Sequence, residues 1–216
     1  MAEHRSPKPG VAGSIPVSPA IRPKLFLTGD PSCGKSTAIG RVVQRLSVSV
    51  PMTGFVTEEI LRDGSRVGFQ GRTLDGRTFG LAHVDVGGPY RLGPYGVDVA
   101  ALEEIGLAAL KPDDDSTLVI LDEVGKMESF SPRFRTAVEG LLAGPNPLLG
   151  TVAAHGVGFV KRVRHDPRIE LLHMSRVSRA AIVGDILRAL ARHGIGSDII
   201  GRRRNAADPS RSEGRR

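Results

Sequence analysis

The strongest constraint on the fold is one eight-residue string and the pattern on either side of it. Residues 29–36 read Gly-Asp-Pro-Ser-Cys-Gly-Lys-Ser, which fits G-x-x-x-x-G-K-[ST]. The apolar run at residues 25–27 predicts a buried strand before it, and the spacing of Ile39, Val42, Val43 and Leu46 predicts an amphipathic helix after it. Strand, glycine-bearing turn and helix in this order predict a β/α unit in an α/β protein with a mainly parallel sheet.

In that context the string predicts a phosphate-binding loop. Backbone N–H groups must converge on phosphate oxygens, glycines allow the tight turn, and the helix N-terminus adds positive potential. We expect Lys35 to bridge the β- and γ-phosphates, Ser36 to offer its hydroxyl to Mg²⁺, and Thr37 to hydrogen-bond a phosphate nearer the base. The predicted nucleotide-binding residues are Gly29, Asp30, Pro31, Ser32, Cys33, Gly34, Lys35, Ser36 and Thr37.

A second apolar run, at residues 118–121, ends in two carboxylates. The run predicts a strand buried on both faces, and we expect Asp122 at its end to hold Mg²⁺ together with Ser36. Since adjacent strand residues point to opposite faces, Glu123 is predicted to turn toward the γ-phosphate and orient a water molecule. Lys126 is a candidate for positive charge in the transition state; an ion pair with Glu123 or Glu128 is the alternative.

The rest of the chain alternates apolar runs with helical patterns. Asp63-Gly64 and Asp75-Gly76 predict the turns of an antiparallel β-meander at residues 52–86. Asp98 and Ser131 are predicted helix N-caps. The predicted elements after the meander are helices over residues 98–110, 132–142, 159–164 and 175–192, and strands over residues 118–121, 148–152 and 169–173.

Composition narrows the class of protein. A single cysteine excludes an intramolecular disulfide, and no apolar run is long enough for a membrane span, so we expect a cytoplasmic protein that does not associate with a membrane. Residues 1–24 and 201–216 carry the whole net charge of +7. We therefore predict a folded domain over residues 24–194 between a disordered basic Pro-rich tail at 1–23 and a disordered Arg-rich tail at 195–216.

Four strings together resemble a known family. They are Gly-Phe-Val-Thr-Glu-Glu at 54–59, Gly-Pro-Tyr-Gly-Val at 93–97, Asp-Glu-Val-Gly-Lys-Met-Glu at 122–128 and Gly-Thr-Val at 150–152. With the phosphate loop they resemble the small single-domain P-loop nucleoside-triphosphatases, also called cancer-related NTPases. Cys33 replaces the small apolar residue usual at its position in that family.

The resemblance implies a three-layer, RecA-like fold with the β-meander as an insertion. It also implies a monomer that hydrolyses NTP to NDP and phosphate with Mg²⁺ and broad choice among ATP, GTP, CTP and UTP. Glu123, Lys35 and Lys126 are then the candidate catalytic residues.

Two other function classes and four residue roles stay open at this point. A P-loop phosphotransferase would use the same loop and hold an acceptor in the meander; a nucleic-acid-linked NTPase switch would use the basic tails, which the neutral central region disfavours. Thr151 either holds the attacking water or ends a strand. Tyr95 either stacks on a base or caps the core. His155 and Arg179 have no assigned role; Arg179, like Arg162, Arg164 and Arg168, contacts phosphate or lies on a solvated face.

Overall fold

The structure, a computed structural model, describes residues 22–175 and 177–198. In chain order its main elements are β1 (Lys24–Thr28), α1 (Lys35–Leu46), β2 (Met52–Arg62), β3 (Ser65–Thr73), β4 (Thr78–His83), β5 (Arg91–Leu92), β6 (Tyr95–Val97), α2 (Val99–Ala101), α3 (Leu107–Ala109), β7 (Leu118–Val124), α4 (Pro132–Ala143), β8 (Leu148–Val152), α5 (Gly158–Arg164), β9 (Glu170–His173) and α6 (Ile182–Ala191).

One nine-stranded sheet runs through the described residues, in the order β5-β6-β4-β3-β2-β7-β8-β1-β9. The strands β2, β7, β8, β1 and β9 pair in parallel, whereas β2, β3, β4, β6 and β5 pair antiparallel. β8 lies between β1, which leads into the phosphate loop, and β7, which carries the two carboxylates. This spacing leaves room between the two elements at the carboxyl ends of the parallel strands.

Helices cover both faces of the parallel strands. Leu25 and Leu27 point to the face covered by α1 and α6, whereas Phe26 points to the opposite face, covered by α4 and α5. A helical segment over residues 99–109, π-helical at Leu102–Gly106, also packs on that second face through Leu102. The alternation of strand side chains thus produces two apolar layers and the three-layer arrangement.

The predicted caps and meander turns are present. Asp98 accepts a hydrogen bond from the Ala101 N–H at 2.9 Å, and Ser131 accepts one from the Phe134 N–H at 2.9 Å. The hairpins β2–β3 and β3–β4 turn at the predicted Asp-Gly pairs. The meander is not separate from the core, however, because residues 52–55 of β2 pair in parallel with β7.

Two predicted bounds were wrong, and two short strands were missed. β7 continues past residue 121 to Val124, so Asp122 and Glu123 lie within the strand. The closing helix begins at Ile182, after a 3₁₀ turn at Ser178–Ala180, because the side chains of Ser175 and Ser178 bond to each other's backbone N–H groups and compete with the helix. β5 and β6 were not predicted.

The packed region extends beyond the predicted boundary at residue 194. Ile195 is buried against the cluster formed by α1 and α6, so it belongs to the domain. Most of the two predicted tails, 1–23 and 195–216, lies outside the described residues, which leave out 1–21 and 199–216. In the described part of the chain, no helix is long and apolar enough to span a bilayer.

Candidate active site

A large cleft opens at the carboxyl ends of the parallel strands, where α/β proteins bind their ligands. Its volume is about 1020 Å³. Four segments line it: the phosphate loop with the first turns of α1, the middle of β2, the turn that follows β7, and the turn that follows β8. The antiparallel strands add Phe69 and Leu81 to the wall beyond β2.

The conformation of the phosphate loop depends on its glycines. Gly34, the residue before α1, has φ of 101°, in the left-handed region that side chains disfavour. At Gly29 a Cβ would lie 2.2 Å from the carbonyl oxygen of Met174, so any side chain there would displace the segment after β9. Gly34 is therefore required for its dihedral angle, and Gly29 is required because there is no space for a side chain.

Lys35 is 8% exposed and bends back over the loop. Its Nζ donates to the carbonyl oxygens of Gly29 at 3.1 Å and Asp30 at 3.4 Å. The same Nζ lies 3.7 Å from Oε2 of Glu123. A side chain of the loop thus contacts a side chain of β7, although β8 separates the two strands in the sheet.

Asp122 is fully buried and its carboxylate joins three strands. Its Oδ1 accepts a hydrogen bond from the Thr151 hydroxyl of β8 at 2.5 Å. Its Oδ2 accepts from both the N–H and the hydroxyl of Thr57 of β2, at 3.1 and 3.2 Å. Each carboxylate oxygen has two acceptor positions. Oδ2 is therefore saturated, and Oδ1 keeps one position for a further contact.

Two more carboxyl groups lie beside Asp122. Burial raises the pKa of Glu123 to about 7, with Lys35 opposing the rise and Asp122 adding to it. Burial raises the pKa of Glu128 to about 8, and the charges of Glu123 and Asp122 add to that rise. Of these three acidic groups, Glu123 is the one that contacts Lys35 in the part of the chain that the structure describes.

The structure brings most of the predicted nucleotide-binding residues to the cleft. Those that line it are Gly29, Pro31, Ser32, Gly34, Lys35, Ser36 and Thr37. Asp30 and Cys33 do not line it. Cys33 is 3% exposed and packs in the apolar cluster with Leu25 and Leu27, which suits the small apolar residue usual there. Lys126 is exposed and lines the cleft, and in the described chain it forms an ion pair with neither Glu123 nor Glu128.

The residues whose roles stayed open differ in their position relative to the cleft. Thr151 is buried on Asp122, whereas His155 is exposed at the cleft. Tyr95 does not line the cleft; it lies in β6 rather than in a loop, and its ring packs edge-on against Phe69 at 5.4 Å. Arg164 donates to the carbonyl groups of Ala153 and Ala154, in the turn after β8. Arg162 and Arg168 pair with acidic side chains outside the cleft, and the Arg179 side chain lies outside what is described.

Sequence reasoning missed several residues of the site. Thr57 and Glu58, in the middle of β2, line the cleft, as do Phe69 and Met127. In the sequence, the string at 54–59 contributes to the family resemblance but does not by itself indicate a contact with Asp122. The missing information was the sheet order: β2 lies next to β7, and this pairing brings Thr57 to Asp122.

The metal predicted at Ser36 and Asp122 is compatible with these side chains. Over residues 22–175 and 177–198, no cluster of three or more His, Cys, Asp or Glu side chains forms a metal site by itself. Mg²⁺ in nucleotide sites does not need one, since it keeps several waters and is bound by one or two protein groups and the phosphates. The Ser36 hydroxyl lines the cleft and the remaining position on Asp122 Oδ1 is the second candidate ligand, but Asp122 is fully buried and does not itself line the cleft.

Comparison with known proteins places the chain. Residues 24–187 match the family model described as NTPase. The nucleoside-triphosphatase THEP1 of Thermotoga sp. (strain RQ2) is 34% identical over 168 residues, which are 77% of this chain and 95% of that protein. The cancer-related nucleoside-triphosphatase of Homo sapiens is 33% identical over 178 residues, 76% of this chain and 94% of the human protein.

Two solved structures have the same fold. The crystal structure of THEP1 from the hyperthermophile Aquifex aeolicus matches with a TM-score of 0.70 and 32% identity, over 77% of this chain and 98% of that chain. The solution structure of a human cancer-related nucleoside triphosphatase matches with a TM-score of 0.69 and 32% identity, over 78% of this chain and 97% of that chain. The predicted P-loop NTPase fold is confirmed, and the chain belongs to the NTPase family.

Proposed function

We propose that this chain is a nucleoside-triphosphatase that hydrolyses NTP to NDP and phosphate with Mg²⁺, with Glu123 as the general base. The observation that supports it most is the 3.7 Å contact between Lys35 Nζ and Glu123 Oε2. The lysine of a phosphate loop reaches the β- and γ-phosphates. A carboxylate beside this lysine would lie near the γ-phosphate of a bound nucleotide, where the attacking water must lie.

The proposed metal site uses Ser36 and Asp122. Bound there, Mg²⁺ would supply charge that stabilises the phosphate oxygens. Thr57 and Thr151 hold Asp122 from both sides, so its direction does not depend on the ion. Bound near Asp122 and Glu123, a divalent cation would also favour the ionised form of both carboxyl groups.

The reaction assigns separate tasks to the loop and to β7. The Nζ of Lys35, now bonded to the carbonyl groups of Gly29 and Asp30, would donate to the phosphates. Glu123 would take a proton as the water oxygen attacks the γ-phosphorus, and the β–γ bridging oxygen would leave with NDP. The pKa of Glu123, about 7, is suited to a base at neutral pH. Lys126, exposed at the cleft, is proposed to approach the charge of the transition state.

Paired substitutions test these roles. Glu123→Gln keeps the side-chain shape and should bind NTP while kcat falls by roughly 10² to 10⁴. Asp122→Asn should weaken the Mg²⁺ dependence of both binding and turnover. Phosphate release is measured with no added acceptor, and affinity by calorimetry. The matched control is Glu139→Gln, on the exposed side of α4, where Glu139 pairs with Arg162.

The wild-type assay tests whether the protein hydrolyses NTP, and the Glu123→Gln variant tests whether Glu123 is the base. Wild-type turnover without an acceptor supports hydrolysis, and its absence would favour phosphoryl transfer to a second substrate. If Glu123→Gln hydrolyses NTP within a few-fold of the wild-type protein, Glu123 is not the base.

We also propose that the enzyme accepts ATP, GTP, CTP and UTP. The groups identified in the loop and on β7 address phosphate and metal, and none of them distinguishes one base from another. The kcat/KM values for the four nucleotides should then fall within about tenfold of each other, since a 1.4 kcal/mol difference in binding is tenfold. A hundredfold preference for one of them would show that another part of the cleft recognises the base.

A further inference from the structure

A second glutamate is buried behind the proposed base. Glu128 is 4% exposed and begins the 3₁₀ turn Glu128–Phe130, directly after β7. Its Oε2 accepts a hydrogen bond from the N–H of Gly125 at 3.1 Å. In the part of the chain that the structure describes, Glu128 has no salt bridge. Burying a carboxyl group without a cationic partner carries a free-energy cost. We therefore asked what this side chain does at its position.

Gly125 lies between this carboxyl group and the proposed base. A Cβ built at Gly125 would lie 2.8 Å from Oε2 of Glu128 and 3.4 Å from Oε1 of Glu123. The Gly125 carbonyl accepts from the N–H of Ser129 at 3.2 Å and from its hydroxyl at 2.5 Å. Glu128 therefore fixes the N–H of Gly125 and Ser129 fixes its C=O, two residues after Glu123.

Glu123 itself has few restraints. Within residues 22–175 and 177–198, its carboxylate has one contact with a charged partner, Lys35 at 3.7 Å. That lysine is expected to turn to the phosphates when nucleotide binds. The direction of Glu123 then depends on the backbone that follows it and on the carboxyl group behind it. Because burial raises the pKa of Glu128 to about 8, Glu128 is neutral at pH 7 and does not repel an ionised Glu123.

We propose that Glu128 is a positioning residue for NTP hydrolysis: by holding the N–H of Gly125 it fixes the turn after Glu123 and so keeps the Glu123 carboxylate directed into the cleft. This inference rests on the proposed role of Glu123. It predicts that losing Glu128 impairs the chemical step and leaves nucleotide binding nearly intact, since no phosphate contact is removed.

The experiment compares Glu128→Ala with Glu128→Gln. The alanine variant should lower kcat by roughly 10- to 100-fold, the usual effect of removing a group that orients a catalytic one, with KM and the calorimetric Kd for NTP within threefold of wild type. The glutamine variant should recover kcat to within about threefold, because its amide oxygen still accepts from the Gly125 N–H. Glu139→Ala, on the exposed side of α4, is the matched control and should leave kcat unchanged.

A second variant keeps the test valid if Glu128→Ala does not fold. Gly125→Ala places a Cβ against both carboxyl groups and should lower kcat selectively. A folded Gly125→Ala protein with wild-type kcat would show that the geometry of this turn does not matter for the reaction. Folding of each variant is checked by circular dichroism and thermal melting.

Several results would overturn the positioning role. They are a folded Glu128→Ala with wild-type kcat, a Glu128→Gln no more active than the alanine variant, and a loss in kcat matched by an equal loss of affinity. If Glu123→Gln loses turnover and Glu128→Ala does not, only this inference fails. If Glu123→Gln itself keeps wild-type turnover, the proposed function loses its base as well.

Discussion

The parallel and antiparallel halves of the sheet are made of different kinds of residue. Every residue of β1 and β8 is buried, and in β7 only Glu123 is partly accessible. In β4 exposed and buried residues alternate over most of the strand, and β3 begins with two exposed residues. The first half is covered by helices on both faces, as parallel sheets usually are, whereas the second half has a solvated face.

Acidic side chains are buried in the parallel half and exposed in the antiparallel half. In the parallel half Asp122 and Glu128 are buried beside one another. In the antiparallel half the acidic groups are exposed and paired with arginines across strands: Arg66–Glu59 at 2.8 Å, Arg72–Glu58 at 2.9 Å and Arg62–Asp85 at 3.4 Å.

The contrast indicates where function depends on individual groups. Burying an ionisable group carries a free-energy cost, so we expect the buried carboxyl groups of the parallel half to serve binding and chemistry. The antiparallel half is held by its apolar side, where the ring of Phe79 packs edge-on against Phe55 at 5.4 Å. Substitutions of the buried carboxyl groups in the first half should change binding and turnover. Substitutions in the second half that lie away from the cleft should change stability or nothing.

The largest expected effect is that of Lys35→Ala on nucleotide binding. The variant loses two charge-assisted hydrogen bonds to phosphate, each contributing about 1.5–3 kcal/mol, so Kd for NTP should rise by roughly 10² to 10⁴. Calorimetry with ATP measures the change in Kd. The control is Lys161→Ala, at an exposed position of α5. Unchanged affinity in a folded Lys35→Ala protein would refute the assignment of the loop.

The sequence predicted the parallel half better than the antiparallel half, for a physical reason. Apolar runs such as 118–121 and the glycine motif are local signals, and they located the loop, β7, Asp122 and Glu123. The role of Thr57 depends on which strand lies next to β7, and pairing between distant segments leaves no local pattern. The same holds for Glu128, which is buried in a 3₁₀ turn that begins four residues after the last residue of β7.

Short and polar elements were missed because local forces do not specify them. β5 and β6 have two and three residues, too few to show alternation. Tyr95 was therefore placed in a loop, and Phe69, which does line the cleft, was not considered. The late start of the closing helix depends on the side-chain bonds of Ser175 and Ser178, which sequence periodicity does not record.

The next effect is on stability in the antiparallel half. Phe79→Ala should cost roughly 3–5 kcal/mol, the usual range for a large aromatic residue in a core. Its ring is buried against Phe55 and fills the space over Gly71, where a Cβ would lie 2.2 Å from it. Chemical denaturation measures the loss, with exposed Leu61→Ala as the control. The variant should keep kcat within tenfold; a larger loss would show that this half supports the chemistry.

A smaller effect concerns pH and Glu128, measured without nucleotide or metal. An ordinary glutamate has a pKa near 4.5, and burial raises that of Glu128 to about 8, so the folded state binds its proton more tightly. The stability from this proton is fully present below pH 4.5 and is lost as pH rises through 8, by at most about 1.4 kcal/mol per pH unit. Glu123 contributes in the same direction up to about pH 7.

Glu128→Gln should therefore flatten the fall in melting temperature between pH 5 and pH 8. The window ends at pH 8 because burial lowers the pKa of Lys24 to about 8, and above that pH this lysine makes stability rise. The lysine is held by three carbonyl groups near the end of α4 and is the same in both proteins. Equal slopes in the two proteins would show that Glu128 does not hold a proton in the folded state.

The smallest expected effect is that of the exposed ion pairs in the antiparallel half. Arg72 donates to both carboxylate oxygens of Glu58, at 3.0 and 2.9 Å, and this contact holds the pKa of Glu58 below its usual value. Both side chains are exposed, so the double-mutant cycle Arg72→Ala, Glu58→Ala should give a coupling of only about 0.2–1 kcal/mol that declines in salt. The pair Arg62–Asp85, with one contact at 3.4 Å, should give less. A coupling above about 2 kcal/mol would mean that water screens this half far less than its exposure implies, and that the contrast with the buried carboxyl groups of β7 is one of degree.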